Sequence, residues 1–342
     1  MRVVKLKPIE YPTYLQEQLE KEIQRVVTKE IYVDLLKILN LKRKKVIKNS
    51  RVENDLTQIQ YNELGEALRF GNLTYANGMF SGPLDASLTK ALRATGATWD
   101  ERLSVYRLPE DALSPELSMM ISAARDGYKN HLKAVDKYLS RIDPEEVSGK
   151  VAVNRIFENA IKKTEKSFEK NIAAVTSTPS ITDAQRKQIV DDWRYRAHSS
   201  IKGLVEDQIS TLRKRVSHSV TVGTRYSNLT KGIQHDFEVS KGRAKLIARQ
   251  ETKTLTNTYA IKRYEDAGVK EYLWKCVHGT SAHPVRPRHQ ALGDASANLG
   301  TTYRMDDPPV VTEPGETERR ENPGFDYNCR CRMSPIVKFG GT

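Results

Sequence analysis

Near the end of the chain, Asn328-Cys329-Arg330-Cys331-Arg332 holds two of the three cysteines, and Arg286-Pro287-Arg288-His289 supplies a histidine upstream. A thiol beside an imidazole is the raw material of a nucleophile with its base. Residues at i and i+2 share one face of a strand, so the thiols of Cys329 and Cys331 can converge there. The single intervening residue departs from the Cys-x(2–4)-Cys spacing of most structural zinc sites. The plainer reading makes both cysteines buried packing residues, with His289 hydrogen-bonded to backbone. No nucleophile elbow, oxyanion motif, phosphate loop or pair of catalytic carboxylates accompanies them. Asp306-Asp307, followed by Pro308-Pro309, reads as a solvated turn. Three cysteines, all in the last quarter, exclude a disulfide framework and point to a reducing cytoplasm.

Those residues need a scaffold, and the composition marks one. Seven of the 14 prolines and all three cysteines fall between Val269 and Thr342. Glu271 to His278, Thr301 to Arg304 and Arg332 to Phe339 are β-rich runs. A helix from about Ser240 to Ala267 leads into them and closes on Gly268. Residues 241–342 therefore read as a small α+β domain with a short sheet, anchored by Trp274. Upstream, helices over 14–48 and 50–70 make 1–70 a helical segment. Residues 71–140 read as a small mixed α/β segment, with turns at Asn77-Gly78 and Gly82-Pro83 and a helix from Leu84 to Gly96. It continues with a strand or hairpin edge from Trp99 to Leu108, and ends in a helix capped by Ser114-Pro115 and running to Leu139. Residues 145–240 read as a long helical arm or hairpin. Ile156, Phe157, Ile161, Phe168, Ile172 and Val175 form one stripe, and Ile201, Leu204, Val205, Ile209, Leu212, Val216 and Val220 another. Thr182 with Gln185 is a capping box for the second helix, and Trp193 is expected as a core anchor. The fold class is α+β and predominantly α-helical.

The 342 residues carry 56 Lys and Arg against 43 Asp and Glu, a net charge of +13, which favours a polyanionic partner. The densest basic run, Lys42-Arg43-Lys44-Lys45 with Lys48, can contact phosphates as a helix end. It also suits a helix C-terminus whose cations answer the macrodipole on a solvated face. DNA contact without sequence preference fits the first reading. No run approaches the roughly 18 apolar residues of a membrane span, and Met1-Arg2-Val3-Val4-Lys5 leads into charges, unlike a signal peptide.

The order of several short motifs carries more. Ala248-Arg249-Gln250-Glu251-Thr252, Asn257 and Tyr259 come first, then Tyr272-Leu273-Trp274, then Val285-Arg286-Pro287-Arg288-His289-Gln290-Ala291-Leu292-Gly293. Asn322-Pro323-Gly324, Asn328-Cys329-Arg330-Cys331-Arg332 and Pro335 close the series. This order closely resembles the Mu F-like minor head protein family of tailed bacteriophages, the phage head morphogenesis domain, most strongly over residues 245–338. Gly78 to Leu84, Leu92 to Trp99 and Tyr106 to Pro109 look like the leader of such proteins. The chain departs from the family in having Gly279-Thr280-Ser281-Ala282-His283 where an acidic residue is common, and Leu292-Gly293-Asp294 where Leu-Asp-Gly is common.

The resemblance implies that His289 stands where relatives place a thiolate. His289, Cys329 and Cys331 then supply three ligands to zinc, with Cys276 or His283 as the fourth. It further implies a non-enzymatic minor capsid protein, located in the head interior of the virion and in the host cytoplasm during assembly. The partners implied are the phage portal protein, the major capsid or scaffold protein, and packaged double-stranded DNA; no membrane is involved. A metal-dependent hydrolase or nuclease centred on His289, Cys329 and Cys331 is the alternative from another class, and a host-side DNA-binding protein is a second.

Overall fold

Hydrophobic spacing and caps set most of the elements. The computed structural model describes residues 2–39, 56–69, 71–173, 175, 181–222, 226–277, 284–327 and 329–339. The described chain runs β1 (Arg2–Lys5), α1 (Thr13–Val27), a π-helical turn (Thr28–Val33), α2 (Asp34–Leu39) and α3 (Leu56–Arg69). Next come β2 (Thr74–Ala76), β3 (Met79–Ser81), α4 (Ala86–Ala94), β4 (Thr98–Asp100), β5 (Val105–Arg107), α5 (Pro115–Leu139) and α6 (Pro144–Gly149). The remainder is α7 (Val153–Ile172), α8 (Asp183–Val222), α9 (Tyr226–Asp266), β6 (Glu271–Lys275), α10 (Pro287–Asn298), β7 (Tyr303–Arg304) and β8 (Arg332–Phe339). The class is α+β and predominantly helical, as the sequence indicates.

The chain divides into two compact units, each drawn from separated stretches. One comprises residues 1–26, 148–204 and 242–342, the other residues 27–147 and 205–241. The segments read from sequence (1–70, 71–140, 145–240 and 241–342) are successive lengths of chain, whereas contact groups residues 1–26 with residues 242–342.

In the first unit, an antiparallel sheet has the order β1-β8-β6-β7. Its opening strand was expected as part of a helical segment. Arg2 to Lys5 instead pairs with Phe339 to Ile336, because Val3 and Val4 are β-formers with no helix cap before them. The carbonyl of Pro335 accepts the Leu6 N–H at 2.8 Å, and the Ser334 hydroxyl donates to Leu6 O at 2.6 Å. The core beneath the sheet gathers Leu6, Phe168, Ile172, Tyr264, Tyr272, Trp274, Leu292 and Met333. Beside it, the Glu165 carboxylate accepts from Tyr259 OH at 2.8 Å and from Arg263 Nε at 3.0 Å, all three groups buried. The helix α9 ends as expected: Gly268 sits at φ +74°, and Val269 N–H returns to Tyr264 O at 2.9 Å. It begins earlier than expected, at Tyr226. Buried Leu229, Ile233, Asp236, Ser240, Ala244 and Ala248 continue one face through it. Trp193, expected as an anchor, is half-buried and carries the Arg196 guanidinium 4.8 Å over its ring; Trp274 is buried.

In the second unit a sheet of order β2-β3-β5-β4 covers Leu64, Phe80, Leu92, Tyr106 and Leu117. The β2–β3 connection is Asn77-Gly78 with φ +51° and +74°, both left-handed as a type I′ hairpin turn requires. Ser114 caps α5 by accepting the Leu117 N–H at 3.1 Å. The helical reading of residues 14–48 is interrupted: a π turn holding buried Ile31 and Tyr32 separates α1 from α2. Residues 40–48 lie outside the described residues.

Candidate metal centre

Three local devices bring the site together. β6 ends at Lys275, which leaves Cys276 at the strand's mouth. Pro287 starts α10, where its missing N–H costs nothing, and sets His289 in the first turn facing inward. The chain entering β8 carries Cys329 and Cys331. His289 Nδ1 lies 3.4 Å from Cys329 Sγ and 3.8 Å from Cys331 Sγ. The ligand atoms of these three residues lie within 4.8 Å of one another, and all three side chains are buried. Cys276 Sγ is 4.0 Å from Cys331 Sγ and donates to His289 O at 3.0 Å. The thiols at i and i+2 do converge, and the Cys331 N–H donates to Cys329 Sγ at 3.4 Å.

The sequence reading missed the group on the far side of the imidazole. His289 Nε2 faces Asp326 Oδ2 at 3.3 Å, off the line of a directed hydrogen bond. Asp326 is itself buried and held by Arg286, by Arg319 Nη1 at 2.9 Å and by the Tyr327 N–H at 2.8 Å. Its position three residues before Cys329, together with the rule that ligand histidines lean on carboxylates, was the available signal. Lys253, from α9, donates to Cys329 O. The edge of the Trp274 ring meets the His289 ring at 5.4 Å between centroids.

The electrostatics follow from this packing. The Cys331 thiol beside it, then His289 and Lys253, drive the Cys329 thiol well down, against the penalty of burial. With that charge next to it, and with its own burial, Cys331 is pushed up. Burial works against a charge on His289, but Asp326 and Cys329 outweigh it and push the imidazole up to about 9. Burial likewise opposes charge on Asp326, yet His289, Arg319 and Arg286 hold its carboxyl below the usual range. Burial lowers Lys253 to about 8. The pocket thus stabilises a thiolate and a neighbouring cation, the charge pattern that a metal ion also satisfies.

Residues 210–334 match the family described as Phage Mu protein F like protein. Over this stretch the chain is similar to that family. The Mu F-like region spans most of α9 and the chain from β6 to the start of β8, so Cys276, His289, Asp326, Cys329 and Cys331 all fall within it. An uncharacterized protein of Haemophilus influenzae is 24% identical over 137 residues, 40% of this chain and 27% of that protein. The match thus spans about a quarter of that relative's length. No solved structure matches the chain.

Of the other expected site residues, His283 lies outside the described residues, as do Lys42, Arg43, Lys44, Lys45 and Lys48. Asp306 and Asp307 form no carboxylate pair aimed at a common atom, since Asp306 binds Arg304 at 2.9 Å and Asp307 binds Arg320 at 3.1 Å.

Proposed function

We propose that the protein is a minor head (capsid) component of a tailed bacteriophage or prophage, acting in head morphogenesis rather than catalysis. The observation that carries this reading is the Mu F-like match over residues 210–334, whose chemically distinctive residues are buried in a packed core. A hydrolase or nuclease needs an open metal position and access for substrate. Cys329 and Cys331 are 6% and 3% exposed, which favours a structural role over that alternative. The partners are the portal protein and the major capsid or scaffold protein, and the location is the head interior. Among the described residues no helix is long and apolar enough to cross a membrane.

The net charge of +13 supports contact with packaged double-stranded DNA through phosphates, and so without sequence preference. Lys42, Arg43, Lys44, Lys45 and Lys48 are the residues assigned to it, on their sequence alone. Protein analysis of purified heads, with a portal co-purification, tests the reading. The chain should be present in the particles and retained by portal. Absence from particles together with no affinity for portal or procapsid components would overturn it. For the DNA contact, affinity should fall steeply with salt, and changing all five basic residues to Gln should flatten that dependence; an unchanged slope removes the assignment.

A further inference from the structure

We propose that Cys276, His289, Cys329 and Cys331 bind one zinc ion in a closed, structural site. The first argument is metric. Zinc–sulfur bonds of about 2.3 Å and zinc–nitrogen bonds of about 2.0 Å at tetrahedral angles place sulfur about 3.5 Å from nitrogen and about 3.8 Å from another sulfur. The observed separations are 3.4 and 3.8 Å from His289 Nδ1 to the Cys329 and Cys331 sulfurs, and 4.0 Å between the Cys331 and Cys276 sulfurs. The ligand atoms of His289, Cys329 and Cys331 lie within 4.8 Å of one another, and Cys276 joins them through Cys331, 4.0 Å away and so well beyond the about 2.05 Å of a disulfide.

The second argument is orientation. His289 turns Nδ1 to the thiols and Nε2 to Asp326, the arrangement in which a carboxylate fixes the tautomer and angle of a ligating imidazole. Asp326 is in turn anchored by two arginines and so does not itself need the metal. The Trp274 indole N–H is buried without a hydrogen-bond partner, in the same core cluster as Cys331 and Cys276. Sulfurs carrying negative charge under a metal would give that donor its acceptor.

The third argument is space. A Cβ on Gly293 would lie 2.5 Å from Cys276 Sγ, so the bare backbone of α10 at this point is what admits the fourth sulfur. Four protein ligands leave no position for water or substrate, which makes the ion a staple between β6, α10 and the entry to β8. On binding, the protons still held by the thiols and by His289 Nδ1 go to solvent, and no oxidant or reductant takes part.

This inference rests on geometry and stands or falls apart from the head-protein reading. The test uses the full chain, purified under reducing conditions without chelator. Elemental analysis should find one zinc per chain, and X-ray absorption should show three sulfur and one nitrogen neighbours. Cobalt(II) substituted for zinc should give the intense bands of a tetrahedral thiolate complex. Asp326→Asn should weaken zinc binding about 10- to 100-fold with the same ligand count. Absence of metal, or intact mass showing a disulfide, overturns the site. A spectrum with two sulfurs, or a cobalt spectrum unchanged in Cys276→Ser, overturns the assignment of the fourth ligand. Should Cys276→Ser fail to fold, the ligand count of the unaltered protein still decides.

Discussion

Glu165 and Arg263 show at the scale of single residues how a buried charge pair is priced by its neighbours. Arg263 is 2% exposed, lies 4.7 Å over the Phe168 ring, and has Asp266 3.7 Å away as a second carboxylate. Glu165→Leu should therefore lower stability by about 3 kcal/mol, while Glu165→Leu with Arg263→Met should recover most of the loss, read by urea unfolding. A loss in the double variant equal to the sum of the losses in Glu165→Leu and Arg263→Met alone would show that the pair is not coupled. A weaker pair gives the pH dependence. Lys338 and Thr302 hold the Glu271 carboxylate at 2.6 Å and lower its pKa, against some burial. A depressed folded pKa means stability is present above the ordinary glutamate value and is lost as pH falls through the folded one. Glu271→Gln should thus cost about 0.5–1 kcal/mol at pH 7, the screened worth of a partly exposed pair, and the gap from the native chain should narrow as pH falls below the ordinary glutamate range. Neither pair is visible in the sequence, because nothing local to Glu165 or Glu271 names a partner so far along the chain.

At the scale of elements, caps and turns were legible and strand partners were not. Ser114 before Pro115, Thr182 with Gln185 and Gly268 after Ala267 each act within a turn of the chain, and each does what its residue type suggests. Ser114→Ala should cost about 1 kcal/mol of thermal stability, the usual worth of an N-cap. β1 is the opposite case. Its Val3-Val4 pair is too short to announce a strand, and only the exposed ladder of β8 gives it hydrogen-bond partners. Deleting residues 1–6 should uncover Pro335 O and Ser334 and expose the β8 edge. The expected result is a lower unfolding temperature together with concentration-dependent association in light scattering. An unchanged melting curve would mean that β1 adds nothing to the sheet.

At the scale of the molecule, the residues of the C-terminal segment do not close their own core. Tyr264, Tyr272, Trp274 and Met333 are covered in part by Leu6, Phe168 and Ile172, from before and midway along the chain. A fragment of residues 241–342 should therefore give poorly dispersed amide resonances and rapid proteolysis, with or without zinc, while the full chain resists. Independent folding of that fragment would make Leu6, Phe168 and Ile172 dispensable. By itself the sequence determined most of the helices, their caps and the Asn77-Gly78 hairpin. Each depends on groups within a few residues of one another, where periodicity and residue type are enough. Only the tertiary structure decided that Cys276 stands beside Cys331, that Asp326 backs His289, and that Arg2 to Lys5 completes the sheet. Those contacts join residues whose closeness follows from how apolar faces pack, and packing depends on the whole chain at once.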